Sequence, residues 1–490
     1  MKYISIILLT LGLLLASSCS EDYLDVNDDP NRSANAEPGP IFTGTLVGYS
    51  TNRVIDLGPA LSTGSQLWSG GGNLGAAVFT SPERYNFSIF TTGNTWRAYY
   101  RDIQKDLKLA IQNADGRNNA IAQCEIFSAL VYYSATVLWG DVPFTEALDL
   151  DLENIQINNL NPRFDDQEIV LNGIIDILDE AIAKIDPSVP NAITGNDLIY
   201  EGDMDLWRKF AKSLKLRVLM TMVDADPSKA SLIGDLVSEN DLILQPQENA
   251  EFPFVNTSGN RNPFWETLNA FAGGSNFFYF ASEATVDVMT KRNDPRLDAY
   301  FTPFPGGGSP DEVAGAPPGV VSLPVTPWVL STSSGGDQSL VRPDAPDVLF
   351  SSQETHFLVA EALAKGYATG GLSEADNSLR QGISQAMSGY NLSQDTISQY
   401  LEEEINNLTS LSQQEAVDII AEQLWIDCIV RPLEGFVHWR RNEVPTLNVP
   451  EGALTSDLMR RLPYPPDEIS ANSNSPEVLP QVDVKMWFDQ

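Results

Sequence analysis

The chain has 490 residues, 42% of them hydrophobic, which is enough apolar material for a large globular core and too much for a disordered chain. Its 66 acidic residues against 30 Lys and Arg leave a formal net charge of −36, which argues against nucleic acid and anionic lipid headgroups as partners, since both require a basic footprint. Three cysteines are too few for a disulfide scaffold, and two histidines, His356 and His438, exclude a His-rich metal site, so no cofactor is expected.

Lys2 and the apolar run from Ile4 to Leu15 read as a secretory signal, being short of the roughly 20 apolar residues a membrane span needs. Ala16, Ser17 and Ser18 then precede Cys19. This arrangement resembles a bacterial lipoprotein signal, in which the cysteine becomes the acylated first residue of the mature chain. The large aliphatic residue usual three places before that cysteine is Ala16 here, with Leu15 one place earlier. Residues 1–18 are therefore expected to be removed and 19–33 to form a tether held in outer-membrane lipid through Cys19. Ser20-Glu21-Asp22 resembles an acidic surface-export signal. Asp25 to Asp29 begins like a calcium loop, but Pro30 and Ala36 stand where the turn glycine and bidentate glutamate belong, so calcium is not expected there.

From Ile41 to Thr95 the density of Gly, Ser, Thr and aromatic residues reads as loop with one or two short helices. Helices then come in pairs. Ile103, Leu107, Ala110, Ile111 and Ala114 form one stripe, and Ile126, Leu130, Tyr133 and Val137 form the next, which stops at Gly140. Val170, Ile174, Leu178, Ala181 and Ile185 precede Pro187; Asp203 is a plausible N-cap for a helix carrying Trp207, Phe210, Leu214 and Val218. Residues 240–350 read as a loop-rich insertion, with nine prolines between Phe301 and Phe350. Phe357, Ala360, Ala364 and Ala368 open a third pair, whose second helix is expected to begin with a capping box of Ser373 and Asp376. A fourth group runs from Gln413 to Ile429 and resumes after Pro432. The pairs span about 96–140, 168–223, 353–388 and 413–442. Such pairs are the pattern of tetratricopeptide-type repeats, and Leu358, Leu363 and Tyr367 followed by Ala375 fit it best. The expectation is a mostly α fold with a loop-rich ligand-binding half, in one domain over 34–490. Cys124 and Cys428 fall on apolar stripes and read as buried free thiols.

Several motifs occur in a fixed order: Asp22-Tyr23-Leu24-Asp25 and Asp29-Pro30-Asn31; Trp139-Gly140-Asp141-Val142-Pro143-Phe144; Tyr200 to Arg217 around Trp207 and Phe210; Asn293-Asp294-Pro295-Arg296-Leu297; Glu354-Thr355-His356-Phe357-Leu358; Trp439-Arg440-Arg441; and Arg461-Leu462-Pro463-Tyr464-Pro465. With the lipoprotein head, this set resembles the SusD/RagB family of outer-membrane lipoproteins, in its SusD-like subgroup. The resemblance covers nearly the whole chain. It implies four tetratricopeptide-like pairs, a surface-exposed place on the outer membrane, and a SusC-like TonB-dependent transporter as partner. Over that barrel the lipoprotein acts as a lid delivering a captured nutrient, in this family mostly glycans and sometimes peptides.

Sugar rings present flat C–H faces, so loop aromatics with polar neighbours are the expected platform. Trp68, Phe79 and Tyr85 lead, followed by Trp265, Phe278 and Tyr279, and by Trp328 from the proline-rich segment. Asn73, Arg84 and Arg261 are the expected hydrogen-bonding partners. Arg208, Lys209, Lys212, Lys215 and Arg217 form the densest basic run and are read as internal ion-pair partners rather than a phosphate site. No nucleophile elbow, HExxH or P-loop is present, so a non-catalytic role is expected. Two alternatives stand beside it: a scaffold that binds only proteins, and, less favoured, a surface glycosidase needing only two suitably spaced carboxylates.

Overall fold

In the computed structural model, residues 36–70, 82–151, 156–272, 279–302, 314–319, 329–330 and 340–490 are described. The fold is mostly helical. Helix α1 (Pro38–Asn52) runs through a π turn at Arg53–Leu57 into α2 (Gly58–Gly64), so a long helical rod occupies the stretch that composition marks as loop. The reason is tertiary. Pro38 is preorganised for a first helical turn, and Phe42, Leu46 and Tyr49 fall on one fully buried face. Phe42 meets Phe127 and Trp207, each with centroids 6.0 Å away, and the Tyr49 hydroxyl lies 2.7 Å from Ser134 Oγ. Packing of that face outweighs the weak helix propensity of its Gly, Ser and Thr residues.

Helix α3 (Ile89–Arg97) lies against the first π turn and continues through a second one into α4 (Lys105–Asn113), and this second turn and α4 pack along α1. Helix α5 (Asn118–Trp139) is long and apolar enough to cross a membrane, but most of it is buried inside the fold. It is the central core helix. Gly140 ends it at φ +87°, a region that favours glycine, with its N–H bonded to Thr136 O at 2.8 Å. Helix α5 packs on α4 and, more extensively, on α6 (Gln167–Lys184), which leads to α7 (Met204–Met222) and α8 (Ala230–Glu239). Asp203 caps α7, its carboxylate accepting from the N–H groups of Asp205 and Leu206.

After α9 (Pro263–Ala272) and α10 (Glu283–Lys291), helix α11 (Ser352–Lys365) packs antiparallel on α12 (Gly371–Ser388). Helix α12 starts two residues before the expected capping box. Gly370, not Ser373, is at its N-cap, and Asp376 turns inward to accept from Leu408 N at 3.0 Å and pair with Arg380 at 2.7 Å. After α13 (Gln394–Glu403), α14 (Gln413–Asp427) packs on both α11 and α15 (Pro432–Asn442).

Two apolar clusters result. The larger fills the spaces among α1, α5, α6, α7, α11 and α14. The smaller gathers Leu67, Trp68, Phe264, Tyr279, Tyr300, Trp425 and Trp439 under a four-stranded antiparallel sheet. The sheet order is Trp68–Ser69, Phe280–Ala281, Val329–Leu330, Phe301–Thr302. Helix α14 divides the two clusters, with Leu424 facing the larger and Trp425 and Ile426 the smaller.

Candidate functional site

A cleft of about 210 Å³ opens along the seam between the two clusters. Its aromatic wall is placed by local structure. Asn262 caps α9, its Oδ1 accepting from Phe264 N at 3.0 Å and Trp265 N at 3.3 Å, while its Nδ2 donates to Ala345 O at 2.9 Å. That tie fixes Phe264 beside the 340–347 segment. Phe264 then stacks on Trp68 with centroids 5.3 Å apart, and Tyr279 lies 5.3 Å from Phe264 on its other contact. Trp68 is only 5% exposed, and its indole N–H has no hydrogen-bond partner among the described residues.

The floor is charged. The π turn after α1 carries Arg53 inward, where Nε donates to Asp347 at 2.9 Å and Nη1 and Nη2 donate to Glu434 at 2.9 and 2.8 Å. Arg217 clamps Glu354 through Nε at 2.6 Å and Nη2 at 2.7 Å. Arg431 bonds Glu354 at 2.5 Å and also pairs with Asp427. His438 Nε2 lies 3.3 Å from Glu354. Burial opposes the ionised form of Glu354, yet Arg217, His438 and Arg431 together hold its carboxyl well below the usual range. Burial pushes His438 the other way, below the ordinary imidazole value, and leaves it neutral at pH 7. The arginines and carboxylates at the bottom of the cleft are thus spent on each other. At the rim Glu251 differs: Asn249 Nδ2 donates to it at 3.0 Å, and no cation pairs with it among the described residues.

Of the residues singled out from sequence, Trp68 lines this cleft. Tyr279 and Phe264 line a neighbouring cavity of about 260 Å³, together with Asp56 and Thr91. Arg261 and Trp265 are half-buried beside each other, with the guanidinium 5.2 Å from the ring, and Arg261 also bonds Asn256 at 2.9 Å and Glu266 at 3.1 Å. Arg84 donates Nε at 2.9 Å and Nη2 at 2.6 Å to Gly319 O, and Tyr85 is buried with φ +64°. Cys19, Asn73, Phe79, Phe278 and Trp328 lie outside the described residues. Sequence reading passed over Glu251, Asn262, Phe264, Arg342 and Tyr390, all of which line the cleft. For Asn262 the signal was present, since Asn followed by Pro is a helix-start pattern.

The basic run on α7 is consumed internally. Arg208 and Lys212 pair with Asp241, Lys209 with Glu248, Lys215 with Asp179 and Arg217 with Glu354. Among the described residues no group of three or more His, Cys, Asp or Glu is placed to hold a metal. Cys124 and Cys428 are buried free thiols.

A family model described as SusD-like, starch-binding associating with outer membrane, matches residues 30–465. The chain belongs to the SusD-like family. Solved structures share the fold of this SusD-like chain. A chitin-binding protein aligns at TM-score 0.75 with 22% identity, over 92% of this chain and 100% of that one. A SusD homologue from Bacteroides uniformis aligns at 0.75 with 19% identity, over 94% and 100%. A SusD homologue from Parabacteroides distasonis aligns at 0.74 with 20% identity, over 93% and 98%. A search among curated proteins finds no match.

Proposed function

We propose that this chain is a non-catalytic capture lipoprotein of the outer membrane. It binds a glycan on its loop-rich half and hands it to a SusC-like TonB-dependent transporter, over which it acts as a lid. The observation that carries this reading is the SusD-like match over residues 30–465, to a family described as starch-binding and outer-membrane-associated. In this reading residues 1–18 are removed, Cys19 carries the lipid, 19–33 is the tether and 34–490 works as one domain.

The cleft suits the role in two ways. Trp68 and Phe264 give it an aromatic wall for sugar C–H faces, and its floor carries carboxylates already bonded to arginine rather than a free acid–base pair. The neighbouring candidates Arg84, Tyr85, Arg261, Trp265 and Tyr279, with Asn73, Phe79, Phe278 and Trp328, are proposed as its surroundings on the same half.

The test is calorimetric titration of the detergent-solubilised chain with maltohexaose, chitohexaose and a wider glycan panel, with product analysis after long incubation. Saturable binding without new products is expected, and release of reducing ends overturns the non-catalytic role. Association with a TonB-dependent barrel without saccharide binding favours the protein-only scaffold. Membrane retention of Cys19→Ala overturns the lipid anchor.

A further inference from the structure

Charge in and beneath the cleft is not balanced. Four guanidiniums, those of Arg53, Arg217, Arg342 and Arg431, face six carboxylates, those of Asp344, Asp347, Glu354, Asp427, Glu434 and Glu251. The first five carboxylates are held in ion pairs; among the described residues Glu251 is not. His438 adds no positive charge, being neutral in its buried site.

Each of the four guanidiniums already carries a carboxylate partner. Arg53 spends Nε on Asp347, Nη1 on Glu434, and Nη2 on Glu434 and Val348 O, and it is 3% exposed. Arg431 spends Nη1 on Glu354 and Nη2 on Asp427. Arg342 is the more open one at 29% exposure, but Asp344 accepts from its Nε at 3.0 Å and accompanies it at the rim. A ligand anion entering here shares a guanidinium with a carboxylate already bound to it, or lies near Glu251. The group open to a ligand is of another kind: Glu251 at the rim is an acceptor for hydroxyl groups, in a cleft that the Trp68 ring also lines.

We propose that this cleft selects uncharged sugar polymers over uronic-acid or sulfated ones, with Glu251 as the residue that sets the preference. The inference rests on the glycan-binding reading above and narrows it to a chemical class. Hydroxyl and acetamide groups donate to Glu251, and sugar C–H faces rest on the aromatic wall. A carboxylate or sulfate within about 5 Å of Glu251 meets a like charge in a partly dehydrated site and is rejected about ten-fold or more. The chain's formal net charge of −36 adds a long-range repulsion of the same sign, effective at low salt.

The experiment is a glycan array carrying neutral and acidic polymers, probed with the full chain in detergent and followed by titration of the tightest neutral hit and its uronate counterpart. The expected result is a set of neutral hits, with the uronate about ten-fold weaker at 20 mM salt and the gap narrowing at 500 mM. Glu251→Gln is expected to weaken the neutral ligand, strengthen the uronate, and shrink their ratio at least about three-fold. An acidic glycan among the tightest hits, or a ratio unmoved in Glu251→Gln, overturns the selectivity while leaving the glycan reading in place. No hit of either class overturns the glycan reading itself, and the selectivity with it.

Discussion

Two buried glutamates show how differently the halves of this molecule are built. Glu354, at 0% exposure among the helices, is gripped by Arg217 and Arg431, and its carboxyl lies far below the usual range. Glu83, at 1% exposure in the loop-rich half, accepts from Gly70 N at 3.3 Å and is paired with no Lys or Arg among the described residues; burial pushes it up to about 7. Around Glu354 the helical body buries charge as a matched set and the geometry is over-determined, while Arg440 and Asp197, each 1% exposed, are held by neutral groups among the described residues. The loop-rich half is held by rings, with Trp68, Phe264 and Tyr279 packed 5.3 to 5.4 Å apart beside strands of two residues each. The cleft takes its floor from the first half and its wall from the second. A rigid frame with a lightly tied face lets ligand preference change without endangering the fold.

The strongest way to break this contrast is Glu354→Ala. It strands Arg217 and Arg431 in the interior, and a loss of roughly 3–5 kcal/mol is expected in a denaturant titration. A loss below about 1 kcal/mol, the scale of an exposed pair, would show that the network does not lock the frame. Next in size is Trp68→Ala, which removes a ring from the smaller core at a cost of about 3 kcal/mol. Here the location matters more than the size. Hydrogen exchange should rise in residues 279–302 while α5 stays protected, and affinity for a bound glycan should fall. Loss of protection in α5 as well would mean that the two clusters unfold as one.

The frame was far more legible in the sequence than the cleft. Stripes such as Val170, Ile174, Leu178 and Ala181 are buried as their spacing implies, because helix-on-helix packing is written in period. The motifs behind the family resemblance also prove to be joints of the frame. Trp139 Nε1 donates to Pro463 O at 3.0 Å and Tyr464 donates to Asp141 O at 2.7 Å, so two motifs 300 residues apart form one corner. Arg296 and Asp294 are a buried pair at 2.5 Å. What periodicity could not reveal was the rod from Pro38 to Gly64, whose Gly, Ser and Thr residues are helical only because Phe42 and Tyr49 find Phe127. The cleft was least legible, since Glu251 and Asn262 meet the distant Arg342 and Tyr390 only through tertiary packing. Trp68 was found by type and neighbourhood, not by any pattern that places it opposite Phe264.

Glu83 offers a pH-dependent test of the second half. Its folded-state pKa is raised from 4.5 to about 7 by burial, so its contribution to stability is fully present below pH 4.5 and is lost as pH rises through about 7. Glu83→Gln cannot ionise. It should therefore gain on the wild type with rising pH, by on the order of 2 kcal/mol at pH 8 and little at pH 5. The check is Tm of both proteins across that range. A constant difference between the two curves would mean that Glu83 is solvated or paired in solution and that its contrast with Glu354 fails.

The smallest expected effect is at the start of α7, where the frame meets solvent. Asp203 accepts from Asp205 N at 3.0 Å and Leu206 N at 3.1 Å, satisfying two donors that a helix start leaves open. Asp203→Ala should cost about 1 kcal/mol, and Asp203→Asn, which keeps an accepting oxygen, only a few tenths. Five residues on, the Arg208 guanidinium pairs with Asp205 and Asp241, so added salt should weaken that contact in both variants and leave their difference intact. If Asp203→Asn instead costs as much as Asp203→Ala, and salt shrinks both costs relative to the wild type, the cap acts through its charge on the helix dipole rather than through its hydrogen bonds. The frame's edge would then be held by the same currency as its core, only more weakly, because water screens at the edge what burial protects around Glu354.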